Sequence, residues 1–312
     1  MKQLLNDLVR GRPFRQRPVA LPLAGQGQVR ALASAGGGET DVTRALFAVS
    51  LSPFLLGFAR QAGQPAGDLT TIRLREATSG EPLASLRTEP AGTVAHPDGA
   101  VELLRPIRSS VDCIGPAERI WRDALARHHA RRQARRAHAF AMRFDDLRAF
   151  TVFTMIPRPV YLVSVTHEDA GNLFPMDLLG PLGARGFLLA LRLTSPSVET
   201  IRASGRIAVS AVPAAWKETA YRLGDRHRER TIAWSALPFA IVPSRTFGIP
   251  VPADALGVRE LAVTHSEPVG SHMLFAASVV AATAQSSAPQ LCHVSEFCAR
   301  WRAARGEPFA EA

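Results

Sequence analysis

The stretch GNLFPMD (171–177) sets an amide, a thioether and a carboxylate close together at the mouth of a strand. A segment that only fills a core needs none of the three. Asn172 offers a donor and an acceptor, Met176 a soft apolar surface and Asp177 a charge. Further on, LTSPSVET (193–200) places the hydroxyls of Thr194, Ser195, Ser197 and Thr200 where a helix begins, between Arg192 and Arg202. The first turn of a helix carries free N–H groups and a partial positive charge, and arginine adds a forked donor, so the pattern suits a phosphate. Ser197 and Glu199 are equally the makings of a plain helix cap, and Asn172 after a glycine is an ordinary turn residue. His272, in GSHML, opens another strand with a group whose charge shifts easily near neutral pH.

These residues need elements to hold them. From 17 to 111 the sequence runs in short apolar alternations broken by Gly and Pro: RPVALPL, QVRALAS, ALFAVSLS, LTTIRLREA, PLASLRTE, GTVAH and AVELLRPI. Their length and period predict strands. Residues 1–15 read as a short helix. Gly115-Pro116 opens a long helical stretch to Phe150, with Ile120, Leu125, Phe140, Phe144 and Leu147 near helical spacing. A second β region starts at Thr151: TVFTMIPRPVYLVSV, then LFPMDLLG, GFLLALRLT, a short helix SVETIRAS, RIAVSAVP, a helix over 214–224 and a Pro-rich crossing at 237–254. VRELAVTHSEPV and SHMLFAASVVAATA close it as a strand pair, and HVSEFCARWRAARG reads as a terminal helix. The division is 1–114 (β), 115–150 (a basic linking helix region) and 151–312 (β with helices). The halves also share vocabulary. RPVALPL (17–23) matches RPVYLVS (158–164), and LFAVSLSPF (46–54) matches FLLALRLTSPS (187–197), which raises a duplication against two unrelated β segments.

Composition narrows the classes. The 312 residues are 46% apolar and 21% charged, which excludes wholesale disorder. No apolar run reaches the roughly 20 residues of a membrane span, and the N-terminus lacks a leader's apolar run, so the expectation is a cytoplasmic protein. Cys113, Cys292 and Cys298 lack metal or disulfide spacing, and His128, His129 and His293 join them as structural residues. The net charge of +10 invites a nucleic-acid reading, but lysine occurs only at Lys2 and Lys217. The dense cluster RHHARRQARR (127–136) has no interleaved aromatics, so a solvated or anion-paired helix face is favoured over a nucleic-acid footprint.

From Pro157 onward the sequence resembles the flavin reductase-like family, whose fold is an FMN-binding split β-barrel. The resemblance rests on PRPVYLVSV, on EDAGNLFPMD, which follows a G-x-x-N-x-x-P-x-S pattern loosely, on FLLALRLTSPSVETIRASGRIAVSAV, and on VGSHMLFAASVVA, which is similar to G-D-H-x-L-F-x-G-x-V. It implies a mainly β, α+β fold with a split barrel over about 150–285, and possible paired barrels in one chain. It implies FMN as cofactor, with FAD as an alternative, and NAD(P)H as co-substrate for hydride transfer. The residues it places around the flavin are Asn172, Met176, Asp177, Arg192, Thr194, Ser197 and Thr200, with His272 near ring and nicotinamide. Asp177 departs from the family's hydroxyl residue there, and a carboxylate beside a phosphate needs an arginine partner. A partner monooxygenase, and either a homodimer or an intrachain pseudo-dimer, are implied as well. Two alternatives stay open: a non-enzymatic split-barrel protein binding flavin, haem or nothing, and an Arg-rich nucleic-acid module.

Overall fold

The computed structural model describes residues 16–22, 28–35, 38–60, 70–96, 99–135, 141–183, 185–284 and 286–312; the short helix expected at 1–15 lies outside them. Seven strands of the first half form one antiparallel sheet: β2 (Val29–Ala35), β3 (Gly38–Asp41), β4 (Leu46–Leu51), β5 (Phe54–Arg60), β6 (Thr71–Glu76), β7 (Pro82–His96) and β8 (Gly99–Val111). Seven strands of the second half form another: β10 (Tyr161–His167), β11 (Ala170–Met176), β12 (Leu179–Leu182), β13 (Gly186–Arg192), β14 (Arg206–Ala211), β17 (Gly257–Val269) and β18 (His272–Ala284). The first sheet has the order β3-β2-β6-β7-β8-β5-β4 and the second β11-β10-β14-β17-β18-β13-β12. Each strand of one has its counterpart at the same place in the other. Such agreement of connectivity is the structural mark of a duplicated unit, and both units are split, open barrels.

The duplication is real in topology but shifted from the sequence match by one strand. LFAVSL is β4, the counterpart of β12, whereas β13 corresponds to β5. The two Arg-Pro pairs fare better. A separate three-stranded sheet orders β1 (Gln16–Leu21), β19 (Gln290–Ser295) and β9 (Arg158–Pro159), so Arg17-Pro18 and Arg158-Pro159 flank the same strand. A small hairpin, β15 (Ile241–Pro243) with β16 (Pro250–Pro252), lies inside the Pro-rich crossing.

Five helices complete the described chain: α1 (Pro116–Ala134), α2 (Phe144–Phe153), α3 (Ser197–Ser204), α4 (Lys217–Arg222) and α5 (Glu296–Ala303). Thr151 therefore lies in the last turn of a helix and does not begin a strand, and His293 lies on β19 and not in the terminal helix. α1 buries only Leu125 and Ala126. Its acids turn onto the protein, Glu118 to Arg122 and Arg300 and Asp123 to Arg148, while Arg131 and Arg132 face solvent and the Arg127 guanidinium lies 4.6 Å over the Phe144 ring. No helix among the described residues is long and apolar enough to cross a membrane.

The continuous apolar text of β13 is explained by burial on both faces. Phe187, Leu189 and Leu191 fill the second barrel with Val163, Phe174 and Phe275, while Leu188 and Ala190 face the first unit. β5 does the same in reverse: Phe54, Leu56 and Phe58 enter the first core, and Leu55 and Ala59 the shared layer. That layer joins Phe47, Val49, Leu55, Val101 and Leu103 to Leu182, Leu188, Ala190, Leu274 and Ala276. At its edge the Phe47 ring lies on Gly180, where an added Cβ would come within 2.5 Å of the ring. Gly180→Ala is expected to cost about 1–3 kcal/mol through overpacking. Adding Phe47→Leu should recover part of the loss, and denaturant unfolding of the single and double variants checks it.

Candidate functional site

Three turns from different parts of the chain meet at the end of the second barrel. The β13–α3 turn runs from Arg192 to Pro196, and the β17–β18 turn carries Gly270 and Ser271. Arg192 pairs in register with His272 on β18, and Leu193 N–H donates to Ser271 O (3.2 Å). The third turn, between β4 and β5, belongs to the first unit. Ser52 N–H donates to Ser271 Oγ (3.0 Å), and Ser271 N–H to Ser50 Oγ (3.1 Å). Gly270 has φ +55° and sits against Ser50, so neither the conformation nor the space admits a side chain there. The unit without any recognisable ligand motif thus forms one wall.

The helix tip expected from LTSPSVET is present as α3, with Pro196 at the N-cap and no side-chain cap bond. Ser197 is fully buried and its Oγ has no hydrogen-bond partner among the described residues. Ser195 Oγ instead donates to His227 O (3.0 Å), part of a 3-10 turn at Gly224–Arg228 that lies across this end of the barrel. Thr194 and Leu193 are exposed, and Thr200 is buried in the helix. Partial burial, with the like charge of Arg228 next, pulls the Arg192 guanidinium below its usual pKa. Two cations beside free helical N–H groups favour an anion.

His272 is almost fully buried and its Nδ1 lies 2.9 Å from Ser271 Oγ. Burial, aided by Arg192, pushes its pKa down to about 4, so the ring is neutral at pH 7. Asn172 sits at the same barrel end, yet its amide is engaged by backbone. Nδ2 donates to Arg226 O and Glu229 O (2.7 Å each), and Oδ1 accepts from Leu173 N–H. Its place is to pin the 224–229 turn. Asn172→Ala is therefore expected to cost roughly 1–3 kcal/mol of stability, by removing a buried amide and the three hydrogen bonds that hold the turn.

Met176 and Asp177 lie at the far end of β11, about 13 Å or more from Asn172 by strand rise. Met176 packs on the second barrel core. Asp177 Oδ2 binds Arg158 Nη2 (2.8 Å) and His293 Nδ1 (2.9 Å), and His293 Nε2 lies 3.1 Å from Tyr221 Oη. Burial would raise this carboxyl, but Arg158 and His293 together hold it well below the usual carboxylate range. Asp177 and Arg158 also line a cleft between the units, of about 60 Å3, with Thr43, Arg44, Phe47 and Tyr161. That volume holds a few waters and not a tricyclic ring. Sequence reasoning missed the β4–β5 wall and the 224–229 turn, since nothing in SLSPF or GDRHRER marks a contact made across the fold.

No group of three or more His, Cys, Asp or Glu among the described residues is placed to hold a metal ion. Cys292 and Cys298 are buried in the first core, and burial pushes both thiols up to about 12.

The comparisons with known proteins bear on this end of the chain. Residues 153–299 match the family model described as a flavin reductase like domain. That match spans just under half of the 312 residues. Among solved structures the chain is similar to the NADH:FAD oxidoreductase of Streptomyces globisporus C-1027, at 19% identity and a TM-score of 0.43, covering 48% of this chain and 89% of that one. It is similar to the flavin reductase component of a bacterial two-component tryptophan halogenase, at 18% identity and 0.42, covering 47% and 91%. It is similar too to nitrilotriacetate monooxygenase component B from Mycobacterium thermoresistibile, at 20% and 0.41, covering 48% and 86%. Curated protein sequences give no significant match.

A folded-state carboxyl pKa below the unfolded one adds stability that is present above about pH 4 and is lost as pH falls through the folded value. Asp177→Asn should therefore cost about 3 kcal/mol at pH 7, since it leaves Arg158 buried without its carboxylate. The gap between variant and parent should narrow as pH drops below about 4, read from chemical unfolding at each pH.

Proposed function

We propose that this chain is a flavin-dependent oxidoreductase of the flavin reductase type, taking hydride from NAD(P)H onto bound FMN or FAD. The observation that carries the reading is the flavin reductase like domain at 153–299, whose α3 tip has the donors an anionic tail needs. The fit to that tail is good in chemistry: an uncapped helix start, the unpartnered Ser197 Oγ, and Arg192 beside Arg228. A bound flavin supplies the hydride-accepting ring. The chain's own residues bind and orient. Arg192 and Arg228 attract the phosphate, Thr194 and Ser197 donate to it, and exposed Leu193 gives an apolar platform beside it. Neutral His272 adds a hydrogen-bonding group without placing a charge near the ring. Asn172, Met176, Asp177 and Thr200 support this geometry at longer range, by holding the turn, the core and the sheets that frame it.

The wall that Ser50 and Ser52 build makes a second subunit unnecessary, so we place one flavin on each monomeric chain. Reduced flavin then serves an acceptor such as a partner monooxygenase. Light scattering of purified protein should give 33.6 kDa. The protein should bind FMN or FAD, and the flavin absorbance should bleach with NADH or NADPH. Arg192→Ala with Arg228→Ala should weaken flavin binding about tenfold or more, the loss of two charge-assisted bonds. Flavin binding without bleaching would leave a flavin carrier and remove the reductase reading. No flavin binding at all would remove both.

A further inference from the structure

We infer that the first unit fixes the tautomer of His272: Ser50 and Ser52 leave Ser271 only one direction in which to donate, so His272 accepts at Nδ1 and carries its proton on Nε2. The inference rests on the reading of His272 as a site residue only for its consequence; the tautomer follows from the hydrogen bonds themselves.

A serine hydroxyl has one proton and two lone pairs. Ser50 Oγ accepts from Ser271 N–H at 3.1 Å, and among the described residues its own proton has one acceptor, Ser271 Oγ at 3.3 Å. Ser271 Oγ also accepts from Ser52 N–H at 3.0 Å. With both lone pairs engaged, Ser271 must donate, and the remaining partner is His272 Nδ1 at 2.9 Å. A neutral imidazole that accepts at Nδ1 is protonated at Nε2. The charged group facing the ring from β13 is Arg192, which disfavours a second proton. Ser50 and Ser52 come from β4 and the turn after it, more than 200 residues away in sequence (|i−j| 221 and 219). They are positioning residues, acting on the second unit's site through Ser271. The consequence is a fixed donor at Nε2, suited to an electron-rich acceptor.

Nitrogen-15 NMR of the full chain, with His272 assigned through His272→Asn, reads the tautomer directly and needs no flavin. The parent should show protonated Nε2 and unprotonated Nδ1 at pH 7. Ser271→Asp offers a carboxylate that accepts from every neighbour, so the ring should flip to the Nδ1–H form. Ser50→Ala removes the proton that forces the direction and should give a mixture of both forms. Parent protein with Nδ1–H, or a Ser271→Asp variant with the parent's tautomer, overturns the inference. If Ser50→Ala does not fold, Ser271→Asp, at a partly exposed turn position, decides alone. A separate arm tests the consequence: Ser271→Asp should lower kcat for NAD(P)H oxidation about tenfold or more with KM nearly unchanged. A flipped ring with unaltered kcat would keep the tautomer but overturn the Nε2 donor's part in the reaction. A parent without any reductase activity would overturn the functional reading and leave the NMR result standing.

Discussion

The dry layer between the two sheets governs everything else in this molecule. β4, β5 and β8 of one unit meet β12, β13 and β18 of the other, and these are equivalent strands in the two strand orders. Where they meet, each presents one face to its own barrel and the other to the layer, and beyond it β8 and β18 run on to exposed residues. Sheets buried on both faces cannot slide without stranding apolar side chains, because a shift of one residue exchanges the faces. The layer therefore fixes where the β4–β5 turn ends. That end point is what brings Ser50 and Ser52 against Ser271.

The two copies share a topology but not a task. In the first, β6 passes to β7 through a short turn, and Glu76 at its mouth accepts from Thr78 and Ser79 N–H and pairs with buried Arg302. In the second, the same connection, β14 to β17, is expanded over 212–256. It holds α4, the 3-10 turn over Asn172 and Ser195, and the β15–β16 hairpin. One copy has an elaborated barrel end and the other a trimmed one. The C-terminal helix then closes the trimmed copy: Phe297, Cys298 and Trp301 join its core.

How much of this the sequence disclosed depends on the range of the interactions. GFLLALR and HMLFAAS announced buried strands, because burial on two faces writes itself as an unbroken apolar run. The α3 tip was legible for the same reason, since a helix start is encoded by its neighbours in sequence. The duplication was visible in shared words but misaligned by a strand, as apolar alternation is nearly the same in every strand and cannot set the register of a repeat. Asn172 looked like a ligand residue because its side chain is polar in an apolar setting. In the fold its amide donates to the carbonyls of Arg226 and Glu229, in a loop more than fifty positions on (|i−j| 54 and 57). TVFTM read as a strand from its β-branched residues, yet α2 continues to Phe153, with Val152 and Phe153 packed into the first core. Tertiary burial outweighed local propensity there.

Asp177 poses the sharpest physical question, because a carboxylate would repel an anion at the proposed α3 site. The fold removes the conflict by distance and by charge together. β11 is extended, so about 13 Å separates Asn172 from Met176 alone. At its own end Asp177 meets Arg158, whose guanidinium also lies within 5.6 Å of the Phe153 ring and 5.9 Å of the Phe150 ring. The aromatic faces take the part of the cation that the carboxylate does not reach. The result is a near-neutral clasp that joins the break between β11 and β12 to β9 and, through His293, to β19. A polar stretch that opens with Asn172 and closes with Asp177 thus performs two separate tasks. Its first residue steadies the 224–229 turn, and its last ties the three-stranded sheet to the barrel.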